Sequence, residues 1–135
     1  AGADYITVHY EATDAIRYCL ETIRSFGIKS GLVISPDTAA ERVFDYLPYA
    51  DMVLVMSVYP GFGGQKFIPA ALDKLRLISR EIRSSGYDVR LEIDGGVGIN
   101  NVAAVKEAGA DTIVAGSAVF NAADAKSAIE ALRKA

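Results

Sequence analysis

Apolar and polar positions along this chain change rhythm five times. Short apolar or β-branched runs occur at 5–10 (YITVHY), 30–35 (SGLVIS), 52–58 (MVLVMSV), 89–94 (VRLEID) and 112–116 (TIVAG). Between them, apolar residues recur at intervals of three and four. Continuous runs of this length suit strands covered on both faces, and the wider spacing suits one stripe of a helix. Such alternation predicts a parallel α/β architecture.

The helical stretches carry their own punctuation. DAIRYCLETIRSF places Ile16, Leu20, Ile23 and Phe26 on one stripe and stops at Gly27. PDTAAERVFDYL is expected to be a helix capped by Asp37 or Thr38, with Glu41 in capping-box position behind Thr38. Pro69 is expected in the first turn of AALDKLRLISREIRSS, which Gly86 closes. Asn100 or Asn101 caps NVAAVKEA, ended by Gly109, and AADAKSAIEALRK is the last helix. The pattern is five βα units in a single domain, 1–135, with no linker and no break in composition.

A parallel sheet needs both faces covered, either by helices on each side or by closure into a barrel. A doubly wound sheet usually carries its phosphate-binding glycines after the first strand. Here the first strand is followed by YEATD, and the glycines come late, in GFGG, DGG and AGS. Loops after the last strands of a (β/α)8 barrel form its usual phosphate site, so this distribution points to the late part of a barrel.

Composition narrows the functional classes. With 51% hydrophobic and 23% charged residues, the 135-residue chain belongs with globular proteins. A net charge of −3 argues against nucleic acid as the main partner. No segment approaches the ~20 apolar residues of a membrane span, and no series resembles a signal peptide, so a cytoplasmic protein without a membrane partner is expected. Arg76, Arg80 and Arg83 fall on a solvated helix face. Cys19 is the single cysteine, which leaves no internal disulfide, and its apolar neighbours predict a buried thiol.

Three strand ends carry candidate chemistry. VYPGFGGQKF holds Gly61, Gly63 and Gly64, whose backbone amides could turn inward as a nest for phosphate or merely serve a flexible turn. In LEIDGGVG, alternation puts Glu92 and Asp94 on one face of the strand, with Asp94 at the end where barrel enzymes keep catalytic groups. A lone DGG would more simply be a turn. VAGSAVF adds Gly116 and Ser117 at the next strand end, and three adjacent strand ends with small residues favour one phosphate pocket. His9 and Glu11 in VHYEA could ligate a metal, but a hydrogen-bonded layer bracing the neighbouring site is the preferred reading. Met56 reads as core by default.

Taken together, these segments resemble the ribulose-phosphate 3-epimerases. MVLVMSVYPGFGGQKFIP is similar to the family's sixth-strand signature, LEIDGG to the seventh strand with its acid, and VAGSAVF to the eighth. VHYEA and SGLVISP resemble the fourth and fifth strands. The resemblance implies a (β/α)8 TIM barrel of which only the last five βα units are present. It also implies interconversion of D-ribulose 5-phosphate and D-xylulose 5-phosphate, in the pentose phosphate pathway. One aspartate removes the C3 proton, a second returns it from the opposite face, and a divalent metal holds the enediolate. That metal is expected to be zinc, with iron, manganese or cobalt as alternatives. Chemistry of this kind needs a Lewis acid for the developing oxyanion and an acid/base group on each face.

By motif match, Asp94 inherits two roles, metal ligand and the acid/base group that donates. Gly61, Phe62, Gly63, Gly64, Gly95, Gly96, Gly116 and Ser117 inherit substrate and phosphate contacts, and Met56 a place over the enediolate. His9 and Glu11 match a pair outside the family's ligand set. The family's other ligands, two histidines and the second catalytic aspartate on its second and third strands, have no counterpart here, since His9 is the one histidine. Five strands of a barrel would also leave two open edges. The sequence AGAD precedes both the first and the last strand, and at Ala108 it is the turn out of a helix. We therefore expect a fragment of a longer enzyme, or a chain completed by another, inactive alone and forming a homo-oligomer. Two rival expectations are a D-allulose-6-phosphate 3-epimerase and a non-catalytic phosphate-binding partial barrel.

Overall fold

In the computed structural model, residues 2–61 and 63–135 are described. The five apolar runs form β1 (Tyr5–His9), β2 (Lys29–Ile34), β3 (Met52–Met56), β4 (Arg90–Asp94) and β5 (Thr112–Val114). They make one sheet in the order β1-β2-β3-β4-β5, every pair parallel. A doubly wound sheet would reverse direction partway across; this one does not.

The connecting helices cover one face. Leu32, Ile34, Val53, Val55, Leu91 and Ile93 point outward from the sheet and are buried in one cluster with Ile16, Leu20, Leu75, Ile78, Val102 and Val105. These last six come from α1 (Ile16–Ser25), α2 (Ala71–Ser85) and α3 (Val102–Glu107). Among the described residues, the opposite face holds a small cluster of Val33, Met56 and Val58 with Leu54 packed against it. Packing α1, α2 and α3 on one side of a parallel sheet is how a barrel wall is built. The fold is therefore five consecutive units of a TIM barrel, with the strand faces alternating between helix layer and interior.

Several local expectations change. The helix expected over PDTAAERVFDYL is a 3₁₀ segment, Ala40–Tyr49, whose N-cap Ala39 offers no side-chain cap. Thr38 does not cap it because its hydroxyl donates to the Glu11 carboxylate instead. Pro48 within the segment lacks the amide that an α-helix would need. α2 begins at Ala71, so Pro69 stands just ahead of the first turn, its carbonyl accepting the Leu72 amide. Asn101 does hold the N-cap position of α3, but its side chain is used elsewhere. The stripe on α1 ends at Ile23; Phe26 is 76% exposed, beyond the last turn. Cys19 is half-buried rather than enclosed. A four-residue helix, α4 (Ser117–Phe120), was not expected, and α5 (Ala125–Lys134) is capped by Asp124, which accepts from the Lys126 and Ser127 amides.

At the strand starts, carboxylates hold the ladder together. Asp51, just before β3, accepts the Ser30 amide at 2.8 Å and a two-point contact from Arg24 of α1 at 2.9 and 3.2 Å. Asp111, just before β5, accepts the Leu91 amide at 3.1 Å. Burial alone would raise the Asp51 carboxyl, but the Arg24 guanidinium and the Ser30 amide outweigh it and hold the group below its ordinary range. A depressed carboxyl contributes stability that is present above its unfolded pKa and lost as pH falls through the folded one. Asp51→Ala is thus expected to lower stability by about 1–2 kcal/mol at neutral pH, the pair being partly screened by solvent. Urea midpoints of wild type and variant should converge as the pH is taken below about 4, the ordinary aspartate value. An equal gap at pH 3 and pH 7 would contradict this.

Candidate active site at the strand ends

The inward face of the sheet is laid out in rows. Leu54, Glu92 and Thr112 are register partners across β3, β4 and β5, and Met56, Asp94 and Val114 form the next row, at the C-terminal ends. Asp94 therefore ends its strand facing inward, flanked by a thioether and a branched aliphatic side chain. Burial raises its carboxyl above the usual aspartate value. Glu92 beneath it is raised as well, first by burial and then by the charge of Asp94.

Above this row lies a cleft of about 410 Å³. Met56, Gly61, Gly63, Gly64, Asp94, Gly95, Gly96, Gly116 and Ser117 all line it. The described residues matched by motif to substrate, phosphate and catalytic roles are thus brought to one place; Phe62 lies outside the described residues. Val58, Tyr59, Pro60, Gln65, Val97 and Val114 complete the lining. Val114 could have been found by continuing the inward alternation of TIV, and Tyr59 and Gln65 flank the glycines directly.

The turn after Asp94 is built to a tight specification. Gly95 has φ 126°, and a Cβ there would lie 2.6 Å from Val58 Cγ2 and 2.8 Å from the Val58 nitrogen. Gly96 has φ 65°, and its Cβ would lie 2.6 Å from the Phe67 nitrogen. Ser57, fully buried, donates its hydroxyl to the carbonyls of Asp94 at 3.0 Å and Gly95 at 2.6 Å. The Asn101 carboxamide accepts the Gly98 amide at 2.9 Å and donates to the Gly96 carbonyl at 3.0 Å. These two side chains fix the backbone that presents Asp94. Sequence reasoning missed both, and the one signal for Ser57 was a hydroxyl at the end of an otherwise apolar strand.

His9 and Glu11 lie side by side where β1 ends. Glu11 sits in a 3₁₀ turn, Tyr10–Ala12, where its carboxylate faces His9 Nδ1 at 3.4 Å and accepts the Ser35 amide at 2.8 Å. Glu11 thereby holds the loop after β2 rather than the cleft itself, whose lining includes neither residue. Among the described residues no group of three or more His, Cys, Asp or Glu side chains could hold a metal ion. Asp94 supplies one candidate ligand, and the donors within these residues do not by themselves fit a metal.

A sequence model described as the Ribulose-phosphate 3 epimerase family matches residues 1–120. The chain belongs to that family. The ribulose-phosphate 3-epimerase of Escherichia coli (strain K12) is 48% identical over 133 residues, covering 98% of this chain and 59% of the relative. Ribulose-phosphate 3-epimerase 1 of Cupriavidus necator is 50% identical over 129 residues, covering 93% of this chain and 54% of the relative. The epimerase-family chain thus spans somewhat over half the length of these curated relatives. A 3-hexulose-6-phosphate synthase from Salmonella typhimurium superposes with a TM-score of 0.71 at 24% identity, over 98% of this chain and 61% of that one. That likeness supports the fold.

Proposed function

We propose that these five units are the C-terminal part of a complete barrel that interconverts D-ribulose 5-phosphate and D-xylulose 5-phosphate. The observation that carries the reading is the position of Asp94, which ends its strand inside a cleft rimmed by glycines, in a chain of this family. In this reading Asp94 acts on C3 of the sugar. A carboxyl raised by burial keeps its proton to higher pH than a solvated aspartate, which suits donation to the planar enediolate from one face. The group that takes the proton from the other face would come from outside these residues. A divalent metal, with zinc as the first choice, belongs to the same reading, but its further ligands would also lie elsewhere, and no step here runs through it.

The remaining lining residues bind and orient. Gly95, Gly96, Gly116 and Ser117 offer backbone amides and a hydroxyl to the phosphate, and Gly61, Gly63 and Gly64 do so from the facing loop. Met56, only 9% exposed, supplies an apolar surface against which a flat enediolate can lie. A cytoplasmic, homo-oligomeric enzyme is part of the proposal.

The test is turnover of D-ribulose 5-phosphate in heavy water by the complete enzyme. One solvent deuteron is expected at C3 of each D-xylulose 5-phosphate formed. Faster conversion of D-allulose 6-phosphate, or phosphate binding without any exchange at C3, would overturn the assignment.

A further inference from the structure

Gly61, Gly63 and Gly64 rim the cleft. A Cβ added at Gly61, Gly63 or Gly64 would meet nothing within 4 Å, so these three glycines border open space. Glycine-rich backbone has many conformations to lose when it is fixed. Two side-chain hydrogen bonds tie it down. Gln65 Nε2 donates to the Tyr59 carbonyl at 2.5 Å, which closes the loop's two ends on each other. Tyr59 Oη donates to Asp37 Oδ1 at 2.8 Å, which ties that closed end to the loop following β2.

That second loop is held from both sides. Glu11 accepts the Ser35 amide and the Thr38 hydroxyl. Lys74, reaching across from α2, donates to the carbonyls of Ser35, Pro36 and Thr38. Burial lowers the Lys74 ammonium, as expected of a cation whose water has been replaced by carbonyl oxygens. The bond to Asp37 in turn holds the Tyr59 hydroxyl above its usual value. Asp37 thus stands on a fixed support and does not itself line the cleft.

We propose that Asp37 is a positioning residue that sets the glycine rim over the cleft through Tyr59, from a support clamped by Glu11 and Lys74. It rests on the sugar-phosphate reading above for its effect on binding, though the tie itself is independent of any ligand. The bond is exposed and single, so its loss loosens the rim without unfolding the domain. It acts on how well the phosphate is held and leaves the chemistry at Asp94 to proceed.

Asp37→Ala in the complete enzyme is expected to raise the KM for D-ribulose 5-phosphate roughly three- to tenfold with kcat within about twofold, the size expected for one solvent-exposed hydrogen bond. Tyr59→Phe should raise KM by a similar factor, and the double variant should be no worse than the worse single one. In the ligand-free protein, amide exchange at Gly61, Gly63 and Gly64 should quicken in both variants while the urea midpoint stays unchanged. Unchanged exchange, additive effects in the double variant, or an unaltered KM would each overturn the proposal. If wild type shows no turnover of the sugar phosphate, the functional reading fails, and the exchange measurement alone decides whether the tie exists.

Discussion

Asp94→Asn in the complete enzyme is expected to lose about 10²–10⁴-fold in turnover, the range for removing a positioned acid/base group. Asparagine fills nearly the same volume but neither gives nor takes the proton, so the cleft should keep its shape. Stability should move the other way. Burial raises the Asp94 carboxyl, meaning that ionising it costs more in the folded protein than in the unfolded chain. That cost is absent below the unfolded pKa and is fully felt once the pH has risen past the folded one. The variant should therefore match wild type in acid and equal or exceed it in urea midpoint at neutral pH. An inactive but undiminished protein is the outcome expected of a residue kept for chemistry. Turnover within tenfold of wild type would remove Asp94 from the mechanism.

Gly95→Ala should be the most destabilising substitution in the site. The added methyl would have to occupy space 2.6 Å from Val58 Cγ2, on a backbone whose φ of 126° side chains rarely adopt. Overpacking and the unfavourable dihedral together are expected to cost about 2–5 kcal/mol. Gly116→Ala is the control on the same cleft, because φ there is −94° and nothing lies within 4 Å of its Cβ. Its urea midpoint should stay close to wild type. Equal midpoints for the two variants would mean that the turn after Asp94 can open without penalty.

The larger features were legible in the sequence because they depend on periodicity. The middle strands β2, β3 and β4 bury one set of alternate residues under helices, so runs such as MVLVM and RLEID announce both their type and their inward set. Asp94 and the glycines of its cleft were legible for the same reason, since strand ends in a barrel converge on one rim. What could not be read were side chains whose partners are distant in sequence. Thr38 has the spacing of a capping residue, yet its hydroxyl turns to Glu11, 27 positions away. Ser57 and Asn101 look ordinary until the backbone they brace is in view. Arg24 reads as the basic end of α1, yet it reaches Asp51 and the Pro48 carbonyl. Phe26 satisfies a helical stripe on paper, but α1 ends at Ser25 and leaves it in water.

The sequential strand order has a consequence for biogenesis. Pairings such as Tyr5 with Lys29, Gly31 with Met52, Met52 with Arg90 and Glu92 with Thr112 each join a strand to the next one in the chain. Among these five strands, every pairing is with a neighbour in the chain. The sheet can grow one βα unit at a time as the ribosome releases it, each new helix covering the strand just laid down. Loop closure within each step is short and its entropy cost correspondingly modest.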